Sequence, residues 1–205
     1  MRAKDIMTRT VVTVDPAAPV KVAAAMLAAH GFSALPVVAE DDRLVGIVTE
    51  ADVVRDQFPF DPRGLVFGQP LQVGTPPDTV GEVMTTPVCA MPPGTDIVDL
   101  ARAMLEEHVR SIPIVEGSRV VGIVTRRDLV RVLARDDAAI AADVRHRLVI
   151  YGGFDRWTVR VDNGVVSVED EFDDPADRHV VTVLALAVPG VRDVRMRTAE
   201  LQGAG

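Results

Sequence analysis

The stretch Gly46-Ile47-Val48-Thr49-Glu50-Ala51-Asp52 recurs, with two residues changed, as Gly122-Ile123-Val124-Thr125-Arg126-Arg127-Asp128. In each copy a glycine and two β-branched residues predict the end of a buried strand. The Thr-x-x-Asp that follows, just before an apolar run, predicts the start of a helix. We call residues 49–52 the first corner and residues 125–128 the second corner. One interpretation is a capping box that bonds the free N–H groups of each helix; a repeated ligand site is the other.

The repetition extends beyond the two corners. Asp5-Ile6-Met7 recurs as Glu82-Val83-Met84, and Ala34–Val38 recurs as residues 111–115, both at an offset of 77 residues. The corners themselves have an offset of 76, so one residue is lost between positions 38 and 46. Polar residues at that place predict a hairpin loop, where a change of length costs little. Each repeat therefore predicts the order strand, helix, strand, hairpin, strand, helix.

Residues 5–135 resemble a tandem pair of CBS domains, or Bateman module. The resemblance rests on the paired Met7 and Met84, on the apolar strands that contain Pro36 and Pro113, and on the two corners. The resemblance implies an α+β fold with pseudo-twofold symmetry and two clefts that bind an adenosyl compound: AMP, ADP, ATP or S-adenosylmethionine. It implies that Asp52 and Asp128 accept ribose hydroxyls, and that Thr49 and Thr125 face phosphate. It also implies that the backbone before each proline lines the adenine. The residues concerned are Ser33, Ala34, Leu35 and Pro36 in repeat 1, and Arg110, Ser111, Ile112 and Pro113 in repeat 2.

The two corners differ in charge. A helix N-terminus accommodates a carboxylate such as Glu50 but disfavours cations, so Arg126 and Arg127 break this rule side by side. Either they point into solvent and pair with Asp136 or Asp137, or they bind phosphate through their planar guanidinium groups. Because Glu50 repels phosphate, we predict that the second corner prefers the more highly phosphorylated nucleotide.

The residues after position 137 predict a separate small domain in the order helix, strand, strand, helix, strand. Asp162-Asn163-Gly164 predicts a tight turn between the first two strands. Residues 175–188 predict a helix that buries Val180, Val183, Leu184 and Val188.

This αββαβ tail resembles a BON domain, a module found in bacterial envelope and stress-response proteins, over residues 159–166 and 188–194. Phospholipid attachment has been suggested for that family. Residues 169–177 carry six acidic side chains, which repel anionic lipid and do not favour membrane association. The acidic run is interpreted either as a solvated loop or as a cation site.

Composition excludes several classes of function. A chain of 205 residues with a net charge of −8 lacks the clustered lysine and arginine that non-specific nucleic-acid binding needs. No apolar segment that would indicate a secretory signal follows Met1. Cys89 is the only cysteine, so no intramolecular disulfide can form, which fits a reducing cytoplasm.

Together these features predict a cytoplasmic regulatory protein that senses an adenine nucleotide and has no catalytic activity of its own. The alternative is a scaffold that acts through the BON-like domain with its CBS clefts empty or structural, and in either case the protein partner is unknown. A homodimer is expected, because the short helices after both corners carry apolar residues on more than one face. The predicted domains are CBS repeat 1 (1–55), a Pro/Gly-rich linker (56–81), CBS repeat 2 (82–137), the BON-like domain (138–199) and a tail (200–205).

Overall fold

Both corners lie where a β-hairpin passes into a helix. Our computed structural model describes residues 1–55, 76–153, 156–170 and 174–198. The helices are α1 (Ala3–Ile6), α2 (Val20–His30), α3 (Glu50–Val54), α4 (Val80–Val83), α5 (Ile97–Glu106), α6 (Arg126–Leu133), α7 (Asp137–Gly152) and α8 (Pro175–Leu186). The strands are β1 (Ala34–Val38), β2 (Leu44–Thr49), β3 (Ser111–Glu116), β4 (Arg119–Thr125), β5 (Trp157–Asp162), β6 (Val165–Asp170) and β7 (Asp193–Thr198). Most of the predicted linker at 56–81, with its three phenylalanines, lies outside the described residues.

The described residues fall into two compact units. One lies within Met7–Arg126, and the other comprises Met1–Ile6 and Arg127–Gly205. The first unit contains two matching antiparallel hairpins, β1–β2 and β3–β4, with Pro36 opposite Ile47 and Pro113 opposite Ile123. Each hairpin has a register shift next to its connecting loop, after Val37 and after Ile114 respectively. The repeat predicted from the sequence is therefore present as two copies of one structural motif.

Each hairpin is extended on both edges. On one edge a segment of its own repeat pairs in parallel, Val14 with Val37 in repeat 1 and Met91 with Ile114 in repeat 2. On the other edge the pairing crosses between repeats, since Thr85 pairs with Ile47 and Thr8 with Ile123. The two Thr85–Ile47 backbone hydrogen bonds measure 2.8 and 3.2 Å. The leading segment of each repeat thus completes the sheet of the other.

Side-chain packing follows the same exchange. Val80 of α4 is fully buried in a cluster with Leu27, Leu35 and Val48 of repeat 1. Where the leading segments cross, a methionine packs on a glycine of the opposite hairpin. A Cβ added to Gly46 would lie 2.9 Å from Cγ of Met84, and one added to Gly122 would lie 2.9 Å from Cγ of Met7. These glycines are needed because the methionine occupies the space of a side chain.

The second unit has the predicted αββαβ order over α7, β5, β6, α8 and β7. Its sheet has the strand order β5–β6–β7, antiparallel between β5 and β6 and parallel between β6 and β7. Asn163 and Gly164 have φ of 49° and 74°, so the predicted tight turn is confirmed. Both of their N–H groups donate to the carboxylate of Asp137, at 2.7 and 2.9 Å.

Two predictions about this unit were wrong in part. Helix α8 buries Val181 and Ala185, and Val188 is buried just after the helix, whereas Val183 is 52% exposed. Six of the seven residues from Val180 to Leu186 are apolar, so the hydrophobic pattern in this half of the helix does not define one inward face.

The acidic run is not simply a solvated loop. Asp170 is 2% exposed, and its carboxylate accepts two hydrogen bonds from Arg156, at 3.0 and 3.1 Å. The same guanidinium also binds Asp177 and lies over the ring of Trp157. Two of the six acidic side chains therefore neutralise a structural arginine.

Gly46→Ala is expected to lower the free energy of unfolding by about 1–3 kcal/mol, because the new methyl group overlaps Met84. Gly122→Ala should do the same through Met7. The measurement is urea unfolding followed by circular dichroism. Gly94→Ala is the matched control, since a Cβ there meets no atom within 4 Å, and its effect should stay within about 0.5 kcal/mol. Equal losses for all three variants would contradict the packing role.

Candidate functional site

A cavity of about 470 Å³ lies in the unit within Met7–Arg126, beside the ends of the two hairpins. This volume is within the usual range of small-molecule sites. Repeat 1 contributes the start of β1, the end of β2 and the start of α3. Repeat 2 contributes the segment after α4 and the connection from α5 to β3. The lining residues are Ser33, Ala34, Ile47, Thr49, Glu50, Ala51, Thr85, Pro87, Val88, Cys89, Glu107, His108, Val109, Arg110 and Ser111.

The cavity brings together five of the residues that the resemblance assigned to nucleotide binding. They are Ser33, Ala34, Thr49, Arg110 and Ser111. The hydroxyl groups of Ser33 and Ser111 are 2.9 Å apart and share a hydrogen bond between the two repeats. Residues 35, 36, 112 and 113 are not among the lining residues, because they are buried within the hairpins.

The first corner is a complete capping box. The carboxylate of Asp52 accepts from the N–H of Thr49 at 2.9 Å and from its hydroxyl at 2.7 Å. The N–H of Asp52 donates back to the Thr49 hydroxyl oxygen at 3.3 Å. Asp52 is 4% exposed, and Arg55 lies 3.7 Å from its second carboxylate oxygen. The hydroxyl hydrogen of Thr49 is therefore already committed to Asp52.

The second corner also places a buried aspartate beside an arginine. Helix α6 begins directly after Thr125, the last residue of β4. Asp128 is 8% exposed, and Arg131 lies 3.1 Å from its carboxylate. Each corner aspartate thus has an arginine partner three residues later, Arg55 in one repeat and Arg131 in the other. The sequence interpretation missed these arginines, although they recur at the same offset of 76 residues.

Arg126 takes neither of the two positions considered from the sequence. Its guanidinium donates to the carbonyl groups of Met104 at 2.8 Å and Val109 at 3.1 Å. Its backbone N–H donates to the carbonyl of Arg110 at 3.0 Å. The first residue of α6 thereby holds the α5–β3 connection, which forms one wall of the cavity. Arg127 is exposed, and phosphate binding by the pair stays a prediction.

The cavity also contains residues that sequence reasoning did not select, chiefly Cys89 and Glu107. They come from segments outside the repeated motif, so only the fold shows that they meet. Burial is the main cause that raises the pKa of the Cys89 thiol, and the negative charge of Glu107 raises it further. The thiol is consequently held in its neutral form at pH 7.

Glu107→Gln is expected to speed the reaction of Cys89 with N-ethylmaleimide at pH 8. Loss of the carboxylate lowers the thiol pKa, so a larger fraction is thiolate, which is the reactive form. Because the chain has one cysteine, the reaction reports on this cavity alone. Glu106→Gln removes the same charge from the neighbouring residue, which does not line the cavity, and should have little effect. An unchanged pH–rate profile for Glu107→Gln would contradict this geometry.

Two segments of the chain, residues 3–57 and 80–135, match the CBS domain family. Together they make up more than half of the 205 residues. Hypoxic response protein 1 of Mycobacterium tuberculosis is 33% identical over 129 residues, which is 63% of this chain and 82% of that protein. Other curated relatives are longer, and the matched region spans 31% of one and 23% of another.

Solved structures agree with this similarity. The CBS domain pair of protein MJ0100, in complex with 5′-methylthioadenosine and S-adenosyl-L-methionine, is similar with a TM-score of 0.52 and 27% identity, over 65% of this chain and 96% of that one. CBSX2 in complex with AMP has a TM-score of 0.50 and 27% identity, over 63% of this chain and 93% of that one. The compounds in both complexes contain an adenine nucleoside.

Proposed function

Because this chain belongs to the CBS domain family, we propose that it is a regulatory protein that binds an adenosyl compound and has no catalytic activity of its own. The observation that carries the proposal is the cavity, which combines the first corner with the segments that precede both prolines. Its volume suits a nucleoside ligand. AMP, ADP, ATP and S-adenosylmethionine are the proposed candidates, and they act as regulatory ligands rather than required cofactors.

The proposed roles are those that the resemblance to CBS domains implies. Asp52 and Asp128 accept ribose hydroxyls, and the backbone at residues 33–35 and 110–112 lines the adenine. For Asp52 this role is supported by its hydrogen bond to Thr49, a residue that lines the cavity. The resemblance also assigns Thr49 and Thr125 to the phosphate. Arg126 and Arg127 give the second corner the stronger preference for phosphate.

A scaffold protein is the second candidate function. In this proposal the tail unit, which has its own hydrophobic core formed by α7, α8 and the sheet β5–β6–β7, acts as an interaction domain of BON type. In that case the CBS clefts are structural and the partner is a protein. Saturable binding of an adenosyl compound separates the two proposals, since the scaffold requires none.

We propose a cytoplasmic location and no nucleic-acid partner. The net charge of −8 supports the second point. In the part of the chain that the structure describes, the helices are too short or too polar to cross a bilayer.

Asp52→Ala and Asp128→Ala are each expected to weaken nucleotide binding by on the order of 1.5–3 kcal/mol, the contribution of hydrogen bonds to a charged group. Stability should fall by about 1 kcal/mol through the lost cap. Calorimetric titration with AMP, ATP and S-adenosylmethionine measures the affinities. Asp96→Ala is the control, because Asp96 caps α5 through a 3.0 Å bond to the N–H of Val98 and does not line the cavity. If all three variants bind nucleotide as tightly as the parent protein, Asp52 and Asp128 only cap their helices and do not bind the ligand.

A homodimer is expected at micromolar concentration, with twice the chain mass of 22.0 kDa in light scattering. Val54 on α3 is 56% exposed, and Leu133 on α6 is 72% exposed. Burial of such side chains against a second copy stabilises the dimer. Val54→Glu and Leu133→Glu should shift the mass towards the monomer. Ile150→Glu, at an exposed position on α7, is the control and should not; a monomeric parent protein would refute the prediction.

A further inference from the structure

Acidic residues from both repeats line the cavity. Glu50, the first residue of α3, comes from repeat 1, and Glu107, directly after α5, comes from repeat 2. Among the described lining residues, Arg110 is the one arginine, and none is a lysine. The permanent charges that line the cavity therefore sum to a negative value. Glu50 and Glu107 are both exposed residues, so salt screens their charges in part.

The hydrogen-bond donors at the start of α3 are largely used by the protein itself. The N–H and the hydroxyl of Thr49 both donate to Asp52, and the N–H of Asp52 donates to Thr49. The N–H of Glu50 points to the carbonyl of Ser33 at 3.4 Å. A phosphate group needs such donors, and α3 has only five residues. This corner therefore offers a phosphate little compensation for the repulsion of the carboxylates.

The negative charge of Glu107 also acts on another lining group. Its charge contributes to the raised pKa of the Cys89 thiol. The field that disfavours a thiolate there also disfavours a phosphate dianion. The same field favours a group that is neutral or positively charged.

We infer that this cavity selects adenine nucleosides whose 5′ substituent carries no net negative charge, such as a thioether or a sulfonium group, over 5′-phosphates. The inference rests on the proposed function and specifies the class of ligand for this site. Glu50 and Glu107 are the residues that determine the specificity. At the second corner, Arg126 and Arg127 replace Glu50 and Ala51 in the sequence, so the preference belongs to this cavity and not to the protein as a whole.

Protection of Cys89 from N-ethylmaleimide tests the inference on the full-length protein. The ligands are adenosine, 5′-methylthioadenosine, S-adenosylmethionine, AMP and ATP, and half-protecting concentrations are compared. Each rate is expressed relative to the same variant without ligand, because Glu107 also alters the reactivity of the thiol. We expect the thioether and the sulfonium compound to protect at concentrations about tenfold lower than AMP, on the order of the repulsion between solvent-exposed like charges.

The Glu50→Gln/Glu107→Gln double variant should bring AMP to within about threefold of 5′-methylthioadenosine. The Glu40→Gln/Glu106→Gln double variant removes the same charge outside the cavity. It should keep the ratio of half-protecting concentrations that AMP and 5′-methylthioadenosine show with the parent protein. The inference alone would be overturned if AMP or ATP protected Cys89 as well as the thioether does. It would also be overturned if the first double variant left the ratio of the half-protecting concentrations of AMP and 5′-methylthioadenosine unchanged. If none of the five compounds protects Cys89 or shifts the melting temperature, the proposed function fails and the inference fails with it.

Discussion

The fold depends on the exchange of leading segments between the two repeats. Met84 packs on Gly46, Met7 packs on Gly122, and each neighbouring threonine forms the outer backbone pair of the opposite hairpin. Neither hairpin has a complete sheet or core without the other repeat, so the pair folds as one structure. The cavity is a product of the same exchange. Its lining includes Ile47 and Thr85, the two residues that pair across the repeats.

Much of this could be predicted from the sequence, because repetition shows which features belong together. The lost residue falls in the hairpin loops, where the backbone can absorb it, and the strand–helix corners follow at the expected places. The tight turn at Asn163-Gly164 was also predictable, since both residues tolerate a positive φ. In each case a local backbone preference and the overall fold require the same conformation.

Other features could not be predicted, because they depend on which segments meet in space. Cys89 and Glu107 are 18 positions apart in the sequence, and no motif connects them. Arg156 binds Asp170 and Asp177 only because β5, β6 and α8 are brought together by the tail fold. The inward face of α8 was assigned incorrectly, since an apolar helix has no single hydrophobic stripe. Hydrophobic pattern and motif spacing predict local structure along the chain, whereas the pairing of charged side chains depends on tertiary contacts.

The position of Arg126 has a consequence for how two ligands would affect each other. Its guanidinium supports the connection from α5 to β3 by bonding the carbonyls of Met104 and Val109. A ligand that drew this arginine to itself would break those bonds and loosen a wall of the cavity. Occupation of one site would then reduce affinity at the other, and thermodynamic linkage requires the reduction to be equal in both directions. The affinity of the protein for one metabolite would therefore depend on the concentration of the other.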